Sequence, residues 1–283
     1  MKERHIQKLE INRIQFFAKS LCRTFALAGV TTFIIPAQLI SVLFKLPVAN
    51  SIPRLWHKIT GRIIGLRILT YGKVSENTRT LYVSNHASYL DIVALGAIDN
   101  INFIAKKEVA DWPVLGFLAR LQRTIFVERR RVKIRVQREE ILSRLEQGAK
   151  VVLFAEGTSN DGIHVQPFKS ALFSLLHGVA DEKRITLQPI SIAYTRLDDI
   201  PIGRTFMPKL AWYGDMSLLP HLFQLLGFGS ITVEIKFHEP VDPSVFKTRH
   251  DLAHYCHQIV MKDTIALNAG IYWQQSTSSD RNS

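Results

Sequence analysis

Cysteine is scarce in this sequence. Only Cys22 and Cys256 occur among the 283 residues, and they lie far apart in the chain. Two such residues are too few for a disulfide framework or for a four-cysteine zinc site. A reduced, cytosol-facing protein is the simplest interpretation.

The signatures of several catalytic classes are also missing. The chain has no Gly-x-Ser-x-Gly nucleophile elbow, no P-loop and no His-Glu-x-x-His spacing. The sequence therefore predicts neither a covalent enzyme intermediate nor a catalytic metal. We expect no resident cofactor.

Segments that would separate domains are absent too. No stretch rich in Pro, Gly or Ser and no internal repeat divides the chain, and 47% of the residues are hydrophobic, which is enough for a buried core. We predict one α/β domain at 71–270. A basic, amphipathic and apolar membrane-association segment at 1–70 precedes it, and a disordered tail at 271–283 follows.

Acidic residues are outnumbered by basic ones. The 36 Lys and Arg against 24 Asp and Glu give a net charge of +12. Such a charge predicts a polyanionic partner: nucleic acid, anionic lipid or a phosphorylated substrate. No nucleic-acid-binding motif is present, and much of the positive charge flanks an apolar stretch. Membrane lipid is therefore the favoured partner, and nucleic acid is not expected.

The apolar stretch runs from Phe25 to Phe44 without a charged residue, close to the ~20 residues that cross a bilayer. A kinked transmembrane helix, a hairpin dipping into one leaflet and a buried core helix all fit it. Basic residues on both flanks favour the cytoplasmic side for both ends, and Pro36 is expected to interrupt the helix. We predict a re-entrant or in-plane helical hairpin at the cytoplasmic face of a membrane, such as the bacterial inner membrane.

Helical periodicity continues at 53–68, and from residue 80 onward short apolar runs alternate with helical patterns. The predicted strands are 80–85, 102–106, 124–128, 150–156, 185–194 and 231–237. The predicted helices are 89–98, 114–121, 132–146, 170–179 and 251–266. Such alternation is typical of the α/β class, with a largely parallel central sheet flanked by helices.

A histidine and an aspartate follow the first predicted strand. His86 comes directly after that strand, and Asp91 lies five residues later, at the start of a helix. A neutral imidazole can take a proton from a hydroxyl while a carboxylate on its other nitrogen orients the ring. The alternative is an aspartate that only stabilises the helix N-terminus.

Three further segments end or interrupt predicted strands. Glu156, Gly157 and Thr158 could hold an anion, although they also suit an ordinary turn. Arg129 could bind a phosphate through two N–H groups, while the basic residues after it are typical of a solvated or membrane-facing helix. Pro189 indicates a bulge, a pocket wall or an edge strand.

Together and in this order, the segments resemble the glycerolipid acyltransferase family, whose first motif is His, four residues, Asp. The four segments similar to the family motifs are Asn85–Asp91, Ile125–Arg129, Phe154–Ser159 and Gln188–Ile190. The resemblance spans roughly residues 80 to 195. Four motifs in order are far more specific than any one of them.

The resemblance implies that His86 is the general base and Asp91 its orienting partner. It implies substrate-binding roles, at the acceptor head group or the acyl chain, for Arg129, Glu156, Gly157, Thr158 and Pro189. Lys106, at the end of a predicted strand, is a candidate for lining the donor or acceptor site, with a plain surface lysine as the alternative.

The resemblance also implies the reaction. A fatty acyl group would pass from acyl-CoA or acyl carrier protein, as substrates, to a lysolipid hydroxyl, with lysophosphatidic acid as the expected acceptor. The segment Glu-Gly-Thr-Ser-Asn-Asp-Gly that starts at Glu156 is similar to branches with other acceptors, including lyso-ornithine lipid, which is the alternative. Two departures from the family pattern are Ala155 in place of Pro and the missing glycine after Lys169. A non-catalytic lipid-binding membrane protein is the alternative of another class.

Overall fold

The computed structural model describes residues 2–128, 134–176 and 185–272. Arg129 and the start of the basic cluster after it, the end of the predicted helix 170–179 and most of the predicted tail lie outside the described residues.

Eight helices and eight strands occur in the described residues. The helices are α1 (Lys2–Leu43), α2 (Ile52–Ile64), α3 (Leu90–Ile98), α4 (Lys107–Ala110), α5 (Pro113–Leu121), α6 (Ile134–Glu146), α7 (Leu218–Gly227) and α8 (Arg249–Asn268). The strands are β1 (Leu66–Tyr71), β2 (Thr80–Ser84), β3 (Ile101–Lys106), β4 (Ile125–Val127), β5 (Lys150–Phe154), β6 (Thr186–Leu197), β7 (Ile200–Pro201) and β8 (Ile231–Phe237). Short 3-10 helices lie at Pro47–Asn50, Ser170–Leu176, Met207–Lys209 and Pro243–Val245.

One sheet contains all these strands. Their order is β1-β8-β6-β2-β5-β3-β4, and the short β7 pairs with β6. Strands β6, β2, β5, β3 and β4 are parallel to one another. β8 is antiparallel to β6, and β1 is parallel to β8, so this side of the sheet runs the other way. The predicted α/β class with a largely parallel sheet is confirmed.

Buried side chains cover both faces of the sheet. Along β2, Tyr82 belongs to the core that packs with α3 and α7, whereas Leu81 and Val83 belong to the core that packs with α6 and α8. A strand buried on both faces needs an almost continuous apolar run. Because of this requirement, the central strands could be predicted from the apolar runs of the sequence.

The predicted helix over 53–68 is wrong at its end. α2 ends at Ile64, and Leu66–Tyr71 form the edge strand β1, in which Leu66 is level with Ile231 of β8. A partner 165 residues later in the chain, rather than a local pattern, makes this segment a strand. The domain boundary at residue 70 stays a prediction, although β1 extends across it.

The predicted interruption at Pro36 is also wrong, because Lys2–Leu43 form one continuous helix. Proline removes one backbone N–H, but the hydrogen bonds of the neighbouring turns keep the segment helical. Residues Arg13–Leu43 are long and apolar enough to cross a membrane, and 11% of their most apolar window is buried. Phe33 is 86% exposed, so the alternative of a buried core helix is wrong as well.

One side of α1 is fixed to the domain. The Arg23 guanidinium donates to the carbonyl oxygens of Leu226 at 3.1 Å and Phe228 at 2.7 Å, at the end of α7. The Phe16 ring meets the Phe228 ring edge-on, with centroids 5.6 Å apart. α1 therefore lies along the domain instead of projecting from it.

Candidate active site

The predicted motif segments meet at one edge of the sheet. β2 lies between β5 and β6, and its last residue, Ser84, is level with Phe154 of β5 and Ile190 of β6. His86 therefore follows β2 beside Glu156, which follows β5. Carboxyl ends of parallel strands form the usual ligand-binding edge of α/β proteins. The ends of β2, β5 and β6 thus bring three of the four motif segments side by side, whereas the role of each residue stays a prediction.

His86 is held as a base would be. Its Nδ1 lies 2.7 Å from Asp91 Oδ2, so Nδ1–H donates to the carboxylate and Nε2 carries the lone pair. The ring stacks on Phe154, with centroids 3.9 Å apart and planes at 15°. The side chain is 18% exposed. The carboxylate and the stacked ring fix the imidazole, and a reacting hydroxyl can reach it from solvent.

Asp91 is fully buried, and its oxygens accept four hydrogen bonds. Besides the imidazole, Oδ2 accepts from the backbone N–H groups of Ala87 at 2.8 Å and Ser88 at 3.0 Å. Oδ1 accepts from the Tyr194 hydroxyl at 2.5 Å. These donors compensate for the loss of water around a buried carboxylate. Its position in the first turn of α3 adds the favourable field of a helix N-terminus.

Tyr194 is a site residue that the sequence analysis missed. It lies on β6, 103 residues from Asp91, and is fully buried. Burial, aided by the Asp91 charge, raises the pKa of the Tyr194 hydroxyl well above its ordinary value. The hydroxyl therefore stays a proton donor to Asp91 at any physiological pH. Its sequence signal is weak, because Ser191 and Thr195 offer hydroxyls in the same strand.

Glu156 lies behind the His86 loop. Its Oε1 accepts from the backbone N–H of His86 at 2.7 Å, and its Oε2 accepts from the Gln166 backbone N–H at 2.8 Å and from the Asn160 side-chain amide. Burial raises the pKa of the Glu156 carboxyl to about 7, against the opposing effect of these hydrogen bonds. Glu156 thus holds the loop that carries His86 in place, and its contact with substrate stays a prediction.

Gly157 and Thr158 lie in the turn that follows β5, next to Glu156. Gly157 has a φ of +70°, which favours glycine, and a Cβ there would lie 2.8 Å from Lys169 Nζ. An ammonium group therefore sits next to this turn, and Thr158 is exposed beside it. The Asn160 backbone N–H donates to the His86 carbonyl at 2.9 Å, which ties the turn to the catalytic loop. Asn160 was not predicted as a site residue.

Pro189 is buried in β6, between β2 and β8, so the edge-strand alternative is wrong. Leu187 bridges Val241, and Ile190 pairs with Phe237. Two residues of β6 therefore stand opposite three of the other segment, so the extra residue lies in 238–240 and not at the proline. The register shift within β6 lies between Tyr194 and Arg196. The role of Pro189 in shaping an acyl pocket stays a prediction.

A cavity of about 340 Å³ lies at the carboxyl ends of β3 and β4, beneath α4 and α5. Its charged lining residues are Lys107, Asp111, Arg120 and Glu128. Lys107 Nζ is 3.3 Å from Glu128 Oε2. Lys106 is exposed at the end of β3. Three strand spacings separate β4 from β2, which puts the cavity roughly 14 Å from the His86 strand.

Ser191, His238 and Asp263 have the residue types of a catalytic triad but not its hydrogen bonds. Ser191 donates its hydroxyl proton to the Val260 carbonyl at 3.0 Å, so it accepts from His238 Nε2 at 2.9 Å. An imidazole protonated on that nitrogen cannot serve as the base for that hydroxyl. Ser191 is also fully buried. The group joins β6 to α8 and has a structural role.

Comparison with known proteins agrees with this geometry. A family model described as Acyltransferase matches residues 67–193. The chain is 45% identical over 232 residues to the lyso-ornithine lipid O-acyltransferase of Brucella abortus, covering 81% of this chain and 87% of that protein. It is 33% identical over 240 residues to the protein of the same name from Rhizobium meliloti, covering 83% and 82%.

Two comparisons concern a second kind of relative. A 1-acyl-sn-glycerol-3-phosphate acyltransferase from Neisseria gonorrhoeae is 30% identical over 174 residues, covering 61% of this chain and 64% of that protein. The crystal structure of the 1-acyl-sn-glycerophosphate acyltransferase from Thermotoga maritima has the same fold, with a TM-score of 0.61, 21% identity, and coverage of 91% and 98%. The chain belongs to the glycerolipid acyltransferase family, and it is an acyltransferase.

Proposed function

We propose that this acyltransferase transfers a fatty acyl group from a thioester donor to the free hydroxyl of lyso-ornithine lipid. One observation carries the chemistry: the Asp91-bound His86 presents the lone pair of Nε2 at the ligand-binding edge of the sheet. The names of two relatives that match more than 80% of the chain support this acceptor. Lysophosphatidic acid, the acceptor first expected, becomes the second candidate.

His86 acts first as base and then as acid. Nε2 takes the proton of the acceptor hydroxyl while the oxygen attacks the thioester carbonyl carbon. The tetrahedral intermediate collapses with cleavage of the C–S bond, and the imidazolium returns its proton to the leaving thiolate. Asp91 orients the ring and stabilises the imidazolium through Nδ1–H. The products are an ester and a free thiol, and His86 returns to its starting state.

The charges of the cavity support an amino-acid head group. Ornithine is a diamino acid, so a head group joined through one amino nitrogen keeps one carboxylate and one ammonium group. The cavity offers cations in Lys107 and Arg120, and carboxylates in Asp111 and Glu128. A phosphate monoester carries negative charge alone and would leave the Asp111 carboxylate without an ammonium partner, so the mixed lining favours the head group that carries both charges.

The donor is proposed to be acyl-CoA or acyl carrier protein, both of which are anionic and suit a protein of net charge +12. A thiolate is a good leaving group, so a positioned base suffices in principle, with neither a covalent acyl-enzyme nor a metal. Among the described residues, no group of three or more His, Cys, Asp and Glu side chains is arranged to hold a metal ion.

We further propose that α1 lies in the plane of the membrane at its cytoplasmic face. The domain contacts α1 from Phe16 to Gln38, which is about 33 Å of helix at 1.5 Å per residue. A helix that crossed the bilayer could not also lie along a globular domain over such a length. Its exposed apolar side chains and basic flanks suit the interface with anionic lipid.

The test is acyl transfer by purified protein in lipid vesicles, with labelled acyl-CoA or acyl carrier protein as donor. Lyso-ornithine lipid and lysophosphatidic acid are offered separately to the wild type, His86→Ala and His254→Ala, the last of which replaces an exposed histidine of α8. We expect product from lyso-ornithine lipid, lost in His86→Ala and kept in His254→Ala. Undiminished transfer by His86→Ala would overturn the mechanism, and product from lysophosphatidic acid alone would overturn the acceptor.

A further inference from the structure

The hairpin formed by α4 and α5 carries an exposed apolar surface. Its exposed apolar side chains are Trp112, Val114, Leu115 and Phe117. Gly116 lets the two helices approach closely, because a Cβ there would lie 2.2 Å from the Ala110 carbonyl oxygen. The apolar side chains are therefore displayed on a tightly closed element rather than on a loose loop.

Gln38 sets the position of this hairpin relative to α1. Its side-chain amide donates to the carbonyl oxygen of Leu121, the last residue of α5, at 2.7 Å, and to that of Ala49 at 3.1 Å. Gln38 is buried and lies within the apolar stretch of α1, six residues before Phe44. At 1.5 Å per residue, this is about 9 Å from the end of the stretch. The end of the apolar stretch and the end of α5 therefore lie side by side.

A row of aromatic rings connects the hairpin with the catalytic loop. The Trp112 and Trp212 ring centroids are 6.3 Å apart, and those of Trp212 and Tyr89 are 6.1 Å apart. The Trp212 backbone N–H donates to the carbonyl oxygen of Ala87, the neighbour of His86, at 2.9 Å. An acyl chain that leaves the bilayer beside Trp112 would thus meet apolar surface as far as the catalytic histidine.

We propose that the α4–α5 hairpin is a second membrane-contact surface, which enters the same leaflet as α1 and admits the lipid acceptor along the aromatic row. The inference rests on the proposed membrane association of α1. Bilayer lipid is the occupant that fits, because exposed apolar side chains that include a tryptophan lie next to four basic residues, which outnumber the two acids of the hairpin, Glu108 and Asp111. The basic residues at the base of the hairpin are Lys106, Lys107, Arg120 and Arg123. Anionic lipid head groups would contact these basic residues while the apolar side chains of the hairpin enter the acyl region of the bilayer.

Two valines make a matched pair for the first test. Val114 on the hairpin is 68% exposed, and Val245, on the 3-10 helix before α8, is 71% exposed. Each is replaced by Cys in a Cys22→Ser chain and labelled with an environment-sensitive fluorophore, while Cys256 stays buried. With vesicles of phosphatidylethanolamine and phosphatidylglycerol, the label at 114 should shift to the blue and be quenched by spin-labelled lipid. The label at 245 should show neither change.

A second test measures acyl transfer to acceptors in vesicles and in solution. We expect Val114→Glu to lower kcat/KM about tenfold for acceptor embedded in vesicles and to leave it unchanged for a short-chain, monomeric acceptor. Val245→Glu should match the wild type with both acceptors. Equal activity of the two variants on vesicles would overturn the proposed lipid entry.

The outcomes separate this inference from the function on which it rests. Protein that binds vesicles while the label at 114 stays in water overturns the hairpin contact alone, and a protein partner would then be the occupant to seek. Protein that does not bind vesicles overturns the membrane role of α1 together with the hairpin. The label responds to the bilayer whether or not acyl transfer occurs, so a wrong acceptor would not obscure the result.

Discussion

A single hydroxyl outside the sequence motifs completes the hydrogen bonding of the Asp91 carboxylate. Tyr194 supplies one of the four donors to Asp91, and Asp91 in turn orients His86. Tyr194 does not touch the reacting atoms, so it is a positioning residue. No local pattern could predict it, because β6 brings it to the site from 103 residues away.

Replacing Tyr194 by Phe should therefore affect turnover more than binding. One buried oxygen of Asp91 loses its partner, which lowers the free energy of unfolding by about 1–3 kcal/mol. We expect kcat to fall about tenfold with the acceptor KM unchanged, because the imidazole is less firmly oriented. Steady-state kinetics and thermal unfolding measure the two effects.

Tyr82 provides the control for that variant. Its buried hydroxyl donates to Asp99, which lies outside the site, at 3.2 Å. Tyr82→Phe should lower stability comparably and leave kcat as in the wild type. Equal kcat in all three proteins would remove Tyr194 from the catalytic arrangement.

Glu156 makes stability depend on pH. Burial raises the pKa of its carboxyl from 4.5 to about 7, so the folded protein binds this proton more tightly than the unfolded chain. The stability that this group contributes is therefore present below about pH 4.5 and is lost as the pH rises through about 7. Unfolding midpoints across this range should fall more steeply in the wild type than in Glu156→Gln. The exposed Glu239 gives the control, since Glu239→Gln should keep the wild-type dependence of the unfolding midpoint on pH. The same pH dependence in all three proteins would contradict the raised pKa of Glu156.

At the scale of helices and strands, an element could be predicted from the sequence when its own residues show its burial, and not when a distant segment of the chain stabilises it. Strands β2, β5 and β6 are buried on both faces, and their apolar runs show this directly. β1 is a half-buried edge strand whose partner β8 comes much later, so its first three residues were predicted as the end of a helix. α1 continues through Pro36, where the local rule predicts a break. Tertiary contacts decide such segments, and no short window of sequence contains them.

The α4–α5 hairpin should contribute to the choice of acceptor. Asp111 lines the mixed-charge cavity, where its carboxylate can pair with a head-group ammonium. Asp111→Asn should raise the KM for lyso-ornithine lipid about five- to tenfold and leave the KM for lysophosphatidic acid unchanged or lower. Glu108, an exposed acid of the same hairpin, provides the control variant Glu108→Gln. Equal effects of Asp111→Asn on both acceptors would place the head group elsewhere.

At the scale of the whole molecule, the net charge of +12 should make membrane binding sensitive to salt. The screening length falls from about 10 Å at 0.1 M salt to about 3 Å at 1 M. We expect binding to phosphatidylglycerol-containing vesicles to weaken about tenfold over this range, because the attraction between basic flanks and lipid is screened. Flotation measures the bound fraction. Binding to neutral phosphatidylcholine vesicles should be weaker and nearly independent of salt, and equal binding to both kinds would contradict an electrostatic contribution.

The contact between α1 and α7 joins segments of the chain that are synthesised at different times. Arg23 bonds to the carbonyl oxygen of Phe228, 205 residues later, and the edge strand β1 pairs with β8. At about 5–20 residues per second, the ribosome needs roughly 10–40 s to make that intervening chain. During this interval α1 has no α7 to pack against, and its apolar side chains can be removed from water by contact with the bilayer. On the proposed membrane contact of α1, the N-terminal helix would reach the lipid surface while the rest of the chain is still being translated, and the active site would assemble where the proposed lipid substrate already is.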